Sequence, residues 1–574
     1  MSSQYGKEES REAENKELIP QTSGGNMQDE PVVGEEEKST PQGIAESSEG
    51  ETPDEIQYCN ILQTNLLAIG LCLGLFVVAL DNTVIAIAIP KITTEFHSLD
   101  NTGWYGSAYM LTNCALQPMF GKFYTHFDVK WTYLSSLCVF ELGSILCAGA
   151  TNPAMLSVGR AVAGAGAAAL FNGAMTIISY RIPLRKRSIY IGLLTSMYGI
   201  ASVVGPILGG AFTEYITWRW CFWINLPIGA VTAISIVFIF SSPANKASKL
   251  TFRERIGKLD MVGIILLISC IVCLLLALQW GGTTYSWSDS RVWGCFLGFG
   301  IVGFAFVWLQ LRLGDDATVP PRILKQRTIW SILCFELLVG VGMYLLVYYL
   351  PFYFQAVRLL PAQASGIRMI PLLVSVTIAS IVSGGLTTAT GHYVPLLHIS
   401  SVMFTVGAGL CSTLKVDSYA GEWVGYQLLA GIGVGLSLQV GYVAAQVVLP
   451  PEDQATGVAL VSFCASLGGA LAVSLGNNVL LNALTDELRS RIADSDVIDV
   501  IISAGASNVA SETPPSLLPD VVLSYNRAIT RVFIVAIPVG AASFVFCLFT
   551  EWRKIDTKKN LSDEGTSEDS KAGV

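Results

Sequence analysis

The chain has 574 residues, of which 52% are hydrophobic and only 14% charged, with a mean hydropathy of +0.53. A soluble protein of this length would carry about 25% charge, so the composition excludes that class and indicates an all-α polytopic membrane protein. The formal net charge of −9 does not describe the membrane-embedded part, because residues 1–57 hold 15 acidic against 4 basic side chains and the rest of the chain is left at +2.

That opening stretch, rich in Glu, Ser, Gly and Pro, buries too little apolar surface to fold and is expected to be a disordered acidic tail. It offers no basic footprint for nucleic acid. The first apolar run starts near residue 65 and is long enough to span, which makes it an uncleaved insertion signal. Runs of about 20 apolar residues then recur at 66–90, 103–123, 131–150, 154–179, 188–212, 220–241, 260–280, 292–312, 328–352, 366–388, 393–414, 421–448, 455–482 and 529–550. These are fourteen predicted transmembrane helices.

Loop charge orients them. Arg181, Arg185, Lys186 and Arg187 follow span four; Lys246, Lys249, Arg253, Arg255 and Lys258 follow span six; Arg312, Arg322, Lys325 and Arg327 follow span eight. The intervening loops carry mostly single positives such as Lys91, Arg219 and Arg358. This parity predicts both termini in the cytoplasm. The domains expected are a tail at 1–57, a six-helix bundle at 58–241, and a linker at 242–327 holding two inserted helices. A second six-helix bundle follows at 328–552, with a long extracellular loop at 483–526, and then a cytoplasmic tail at 553–574.

An internal repeat supports the two bundles. Arg160, Gly164, Ala168 and Asn172 recur every four residues in span four, and Gln427, Gly431, Gly435 and Gln439 do so in span twelve, 267 residues later. Two homologous halves around a midplane cavity are the plan of secondary transporters.

Ionisable groups inside a bilayer are costly, and this makes them functional candidates. Four stand out: Asp81 in span one, Glu141 in span three, Arg160 in span four and Glu336 in span nine. Asp81 is placed to load and release a proton, or to bond a neighbouring helix. Arg160 keeps its proton, so it must meet water, a carboxylate or substrate. Glu141 and Glu336 each suit a proton site, a counter-ion or a cavity-wall acceptor. Tyr105, Tyr109, Asn113 and Gln117 form a polar-aromatic stripe on span two that should turn away from lipid towards a cavity. Gln439, Tyr442 and Gln446 in span twelve add two amides and a phenol, and span nine ends in Tyr348, Tyr349, Phe352, Tyr353 and Phe354. That last cluster reads as cavity lining or as an interfacial aromatic belt.

Span five contains Gly199-Ile-Ala-Ser-Val-Val-Gly-Pro-Ile-Leu-Gly-Gly210. Ala201, Gly205 and Gly209 form one row of small residues, and Ser202, Pro206 and Gly210 the next. Pro206 removes a backbone donor and is expected to kink the helix. The stretch serves close packing or a moving seal. No nucleotide-binding, hydrolase or zinc motif is present, the four histidines are scattered, and Cys270 and Cys273 sit among apolar residues without partner ligands. No enzyme, metal or cofactor is therefore expected, and a proton gradient would be the energy source.

These residues resemble the major facilitator superfamily, and within it the fourteen-span drug:proton antiporters of fungi. The stretch from Leu80 to Pro90 is similar to a first-helix motif of that group. Gly159-Arg160 with Gly164 and Gly166 resembles its fourth-helix motif, Gly199–Gly210 its antiporter motif, and Trp218 to Gly229 the start of its sixth helix. Pro514 to Ala528 resembles pumps associated with fungal toxin clusters. The loop Gly121–Lys130 departs from the superfamily pattern, with Thr125, Asp128 and Val129 where an acid, a glycine and an arginine would stand.

The resemblance implies the major facilitator fold and proton-driven export of amphipathic small molecules such as toxins, secondary metabolites or antifungal drugs. It implies proton coupling through Asp81 and Arg160, and a cavity lined by Tyr109, Asn113, Gln117, Asn172, Glu336 and Gln439. It also implies an antiporter motif of Gly199, Gly205, Pro206, Gly209 and Gly210. The partners expected are the lipid bilayer, protons and the substrate, for a monomer in the plasma membrane, with the vacuole as the other site. An uptake carrier for siderophore-like iron chelates is the alternative.

Overall fold

The computed structural model describes residues 61–96, 102–242, 259–282, 285–492, 494–504 and 513–555, with 254 and 509 as isolated points. The acidic tail, the chain beyond 555, most of the basic loop after span six and the side chain of Pro206 lie outside the described residues.

Lipid offers the backbone no hydrogen-bond partners, so a spanning chain closes its bonds within helices. The first bundle holds α1 (Ile61–Phe96), α2 (Thr102–His126), α3 (Val129–Ala148), α4 (Pro153–Arg181), α5 (Leu184–Tyr215) and α6 (Asn225–Ile239). The inserted pair is α7 (Met261–Trp280) and α8 (Ser290–Leu313). The second bundle holds α9 (Arg327–Phe352), α10 (Ile370–Thr390), α11 (Val394–Cys411), α12 (Ala420–Ser437, resuming at Val440–Val448), α13 (Gln454–Arg489) and α14 (Leu518–Cys547). Thirteen of these spans have the length and mean hydropathy of a membrane crossing. The other is α2, whose 25 residues carry the polar stripe.

Side chains set several of the boundaries. Asn152 caps α4 by accepting from the Met155 N–H at 2.8 Å, with Pro153 at the first helical position. Asp128 caps α3 by accepting from the Trp131 N–H at 3.1 Å, which gives a local reason for an acid where the superfamily pattern has glycine.

The long loop expected at 483–526 is mostly helix. α13 continues to Arg489, a short helix covers Ser495–Ala504, and α14 begins at Leu518. The cause is a charge cluster invisible to apolar-run counting. Glu487 pairs with Arg531 at 2.9 Å, Arg527 at 3.1 Å and Arg491 at 3.6 Å, joining the polar ends of both helices. The aromatic end of α9 is divided, with Tyr348 exposed and Phe352 half-buried while the other three turn into the bundle. Tyr349, Tyr353 and Phe354 are buried; the Tyr349 hydroxyl donates to the Val473 carbonyl at 2.9 Å and that of Tyr353 to the Lys415 carbonyl at 2.7 Å.

The two bundles repeat each other contact by contact. A Cβ on Gly166 of α4 would lie 2.5 Å from the Phe140 nitrogen on α3, and one on Gly433 of α12 would lie 2.4 Å from the Phe404 nitrogen on α11. Gly143 meets Ala163 as Gly407 meets Ala430. Arg187 at the start of α5 donates to Gln454 Oε1 at the start of α13, 267 residues later, at 3.3 Å. That is the repeat offset, so this contact lies on the axis relating the halves.

The bundles meet along α5 with α10 and α2 with α13, and α7 fills the seam beside α2 through Ala115, Leu267, Ile271 and Phe463. α8 lies outermost, with Phe304 75% exposed, as a lipid-facing helix requires. Several contacts between the bundles lie at the end bearing the basic loops. There Gly121 abuts Thr456 and Ala459, Gly384 abuts Ser188 and Ile189, and the Thr195 and Ser380 hydroxyls are 2.9 Å apart. Towards the other end, Gly106 on α2 and Gly210 on α5 have open space where a Cβ would be.

Candidate functional site

Four helices of the first bundle bring together the two charges singled out from the sequence. Asp81 on α1 and Arg160 on α4 form an ion pair through Oδ2 and Nη1, and both side chains are fully buried. The Arg160 Nε–H donates to the Tyr105 carbonyl at 2.9 Å, and the guanidinium lies 4.3 Å from the centre of the Tyr109 ring. The Tyr109 hydroxyl donates to the Val78 carbonyl at 3.3 Å, which holds the ring in place. Gly164, one turn beyond Arg160, lets α4 close on α2: a Cβ there would lie 2.4 Å from the Tyr109 carbonyl. Arg160 Nη2 has no partner.

Asn225 on α6 completes the site from the third side. Its amide donates to Asp81 Oδ1 at 3.2 Å and to Ser144 Oγ on α3 at 3.0 Å. Weighing only ionisable groups passes over Asn225 and Ser144, although an amide inside an apolar span is itself a costly, orienting group. Glu141 stands on α3 one turn before Ser144, with both oxygens buried and unpartnered against Gly229 of α6.

The remaining sequence candidates lie elsewhere. Gln117 Nε2 donates to Asn113 Oδ1 at 3.4 Å, and Asn172 donates to the Gln117 carbonyl at 3.2 Å, which forms a second polar cluster between α2 and α4 nearer the basic end. Glu336 is buried inside the second bundle, where a Cβ on Gly441 would lie 2.2 Å from its Oε1. Gln439 occupies the break in α12, donates to Ser383 Oγ at 3.3 Å, and faces Gly192 of α5 across the seam. Between the bundles, the Phe171 ring of α4 contacts Tyr198 of α5 at 6.0 Å and Tyr442 of α12 at 5.3 Å.

The small residues of α5 divide their work. Thr83 of α1 donates to the Ala201 carbonyl at 3.1 Å and fills the space beside Gly205, and Gly209 is buried as well. Gly199 instead receives Thr377 of α10, and Gly210 faces open space. α5 runs without interruption from Leu184 to Tyr215, through position 206.

The chain is 46% identical over 507 residues to the MFS-type efflux pump MFS1 of Arthroderma benhamiae, covering 88% of this chain and 94% of that protein. It is 45% identical over 497 residues to the efflux pump roqT of Penicillium rubens, covering 86% and 92%. Among solved structures, the human organic anion transporter MFSD10 superposes with a TM-score of 0.55 at 12% identity, over 84% of this chain and 99% of that one, a likeness of fold alone. Residues 71–473 match the Major Facilitator Superfamily. With two six-helix halves, an inserted helix pair and a buried charge pair in the first half, the chain belongs to the Major Facilitator Superfamily.

Proposed function

We propose that the protein exports amphipathic small molecules, of the kind fungal cells make as secondary metabolites or meet as drugs, in exchange for protons. The observation that carries this reading is the Asp81–Arg160 pair, a carboxylate and a fixed cation buried together at the level of the membrane. Such a pair has two states. While Asp81 is ionised, it neutralises Arg160; when Asp81 Oδ2 takes a proton, the guanidinium loses its counter-charge and must find another partner or a new position. The relatives named efflux pumps support the outward direction.

With the basic end in the cytoplasm, as loop charge favours, the contacts between the bundles at that end would close the cytoplasmic side. Closure on that side is what an outward-facing state, in which a substrate leaves and a proton arrives, requires. One charge moving through 100 mV supplies about 2.3 kcal/mol, or about fiftyfold in concentration. In this reading the protein acts as a monomer in the plasma membrane with both termini cytoplasmic, and it performs no covalent chemistry.

Deletion of the gene tests the direction of transport. Export predicts intracellular accumulation of a metabolite and heightened sensitivity to amphipathic toxins, both reversed by the wild-type gene and not by Asp81→Asn. Unchanged sensitivity together with loss of growth on chelated iron would overturn it.

A further inference from the structure

Glu141 is a carboxyl that the Asp81–Arg160 pair does not use. It sits twelve residues into α3, and both of its oxygens are out of contact with solvent and have no hydrogen-bond donor. Its Oε1 is seated in the space left by Gly229 on α6, where a Cβ would come within 1.9 Å. One turn before Gly229, Asn225 reaches Ser144 of α3 with one hydrogen bond and Asp81 of α1 with another. The Asn225 Oδ1 is itself buried and unpartnered. Ser144, Asn225 and Asp81 therefore form one hydrogen-bonded seam across α3, α6 and α1 that ends on Arg160 and Tyr109, and Glu141 lies beside it, one turn from Ser144 on α3 and against Gly229 of α6.

The groups facing this seam are few. Asp81 on α1 is the charged group whose field reaches Glu141, and Arg160 on α4 is already bonded to Asp81. Cys147 on α3 and Cys221 just before α6 are the neighbouring thiols, in the field of the same charges. Among the described residues no cation pairs with Glu141. An ionised carboxylate without a donor at this depth is costly by several kcal/mol, which gives this position a reason to bind a proton. Asp81 is the opposite case, with each oxygen receiving a donor. The two carboxyls thus differ in their partners, donors on both oxygens of Asp81 and none on those of Glu141.

We propose that Glu141 is a second proton-binding site of the transport cycle, beside Asp81. The proton leaves Glu141 for water when the helices rearrange towards the cytoplasm, which breaks its O–H bond and leaves a carboxylate with access to solvent. The inference rests on the reading of the protein as a proton antiporter. It requires that more than one carboxyl of the first bundle exchange a proton during each cycle.

The test uses the full-length protein in lipid vesicles, with a fluorescent amphipathic dye as substrate and a pH indicator to count protons. Infrared spectra of the same samples report protonated carboxyl groups. Glu141→Gln, which replaces a neutral carboxyl with an amide of the same shape, should melt like the wild type and bind the dye with an affinity within about twofold. It should carry one proton fewer per dye molecule and lose one protonated-carboxyl band, which Glu141→Asp should partly restore. Glu336→Gln controls for a buried carboxyl of the second bundle and should leave that band in place. If the wild type moves no protons with the dye, antiport itself fails. If the wild type moves protons and Glu141→Gln moves the same number with the same pH profile and bands, antiport stands and the role of Glu141 is overturned.

Discussion

Asp81 and Arg160 must stabilise each other before they can couple anything. Both are completely buried, and removing one partner of such a pair costs about 3–5 kcal/mol because the other is left uncompensated. Asp81→Asn should accordingly lower the melting temperature of the purified protein, whereas Asp81→Asn with Arg160→Gln should recover most of the loss. Gln is the apt replacement, since Gln427 holds the corresponding place in the second half and is buried there as a neutral side chain. Neither variant should concentrate substrate, which separates stability from coupling; full transport by the double variant would reduce the pair to a structural element. Asp81 and Arg160 are legible in the sequence because charge in an apolar run is conspicuous. That they face each other is not, since contact depends on how α1 and α4 pack. Asn225 and Ser144 are hidden for a related reason: neutral side chains become significant only when a charged neighbour is known.

At the scale of the element, repetition is what the sequence reveals best. Small residues at the same register in α4 and α12 produce the same close approaches to α3 and α11, because a helix pair can meet at backbone distance only where side chains are missing. Gly166→Leu and Gly433→Leu should each separate such a pair and prevent folding, seen as loss of a monodisperse protein in detergent; a stable Gly433→Leu protein would argue against equivalent packing. α5 is harder to read from its sequence. Ala201 and Gly205 lie against α1, Gly199 lies against α10, and Gly210 is open. One helix therefore joins the bundle that holds Asp81 to the opposite bundle. A side chain wedged at Gly199 should hold that crossing apart, so Gly199→Leu is expected to leave folding intact and to let substrate leak in the absence of a gradient. A tight, fully coupled Gly199→Leu protein would return the crossing to simple packing. The extension of α13 and α14 is missed by hydropathy because Glu487 and its arginines stabilise polar helix ends that carry no apolar signal.

For the molecule as a whole, two ties at opposite ends differ in character. At the basic end, Lys122 of α2 donates to the Asp315 carbonyl at 2.7 Å, and Arg322 bridges Asp315 at 3.0 Å and Asp453 before α13 at 2.9 Å. The segment after α8 thus straps the first bundle to the second, close to the loop whose usual charges are replaced at Thr125, Asp128 and Val129. Exposed ion pairs contribute only about 0–1 kcal/mol each, so Arg322→Ala should bias the bundles rather than unfold them. Increased labelling of a cysteine placed at Ser188 would report the opening, and unchanged labelling would deny the strap a role.

At the other end, beyond the apolar stretch of α1, Glu95 accepts from the Trp218 indole at 2.7 Å and pairs with Arg219 at 3.0 Å. These two donors, the indole first, hold the Glu95 carboxyl below its usual range. A lowered carboxyl contributes stability above the ordinary value of about 4.3 and loses it only as pH falls through the folded value. This tie should therefore survive a mildly acidic exterior, and Glu95→Gln should alter stability at neutral pH and not in strong acid.

Proton-driven export through the Asp81–Arg160 pair is tested most directly by transport into vesicles of defined orientation. Purified protein would be reconstituted so that the basic loops face outward and the lumen is acidified, with a fluorescent amphipathic dye supplied outside. The wild type should concentrate the dye in the lumen in proportion to the pH gradient and alkalinise the lumen as it does so, and Asp81→Asn should do neither while still binding the dye. Accumulation that ignores the gradient, or that persists undiminished in Asp81→Asn, would contradict the assignment.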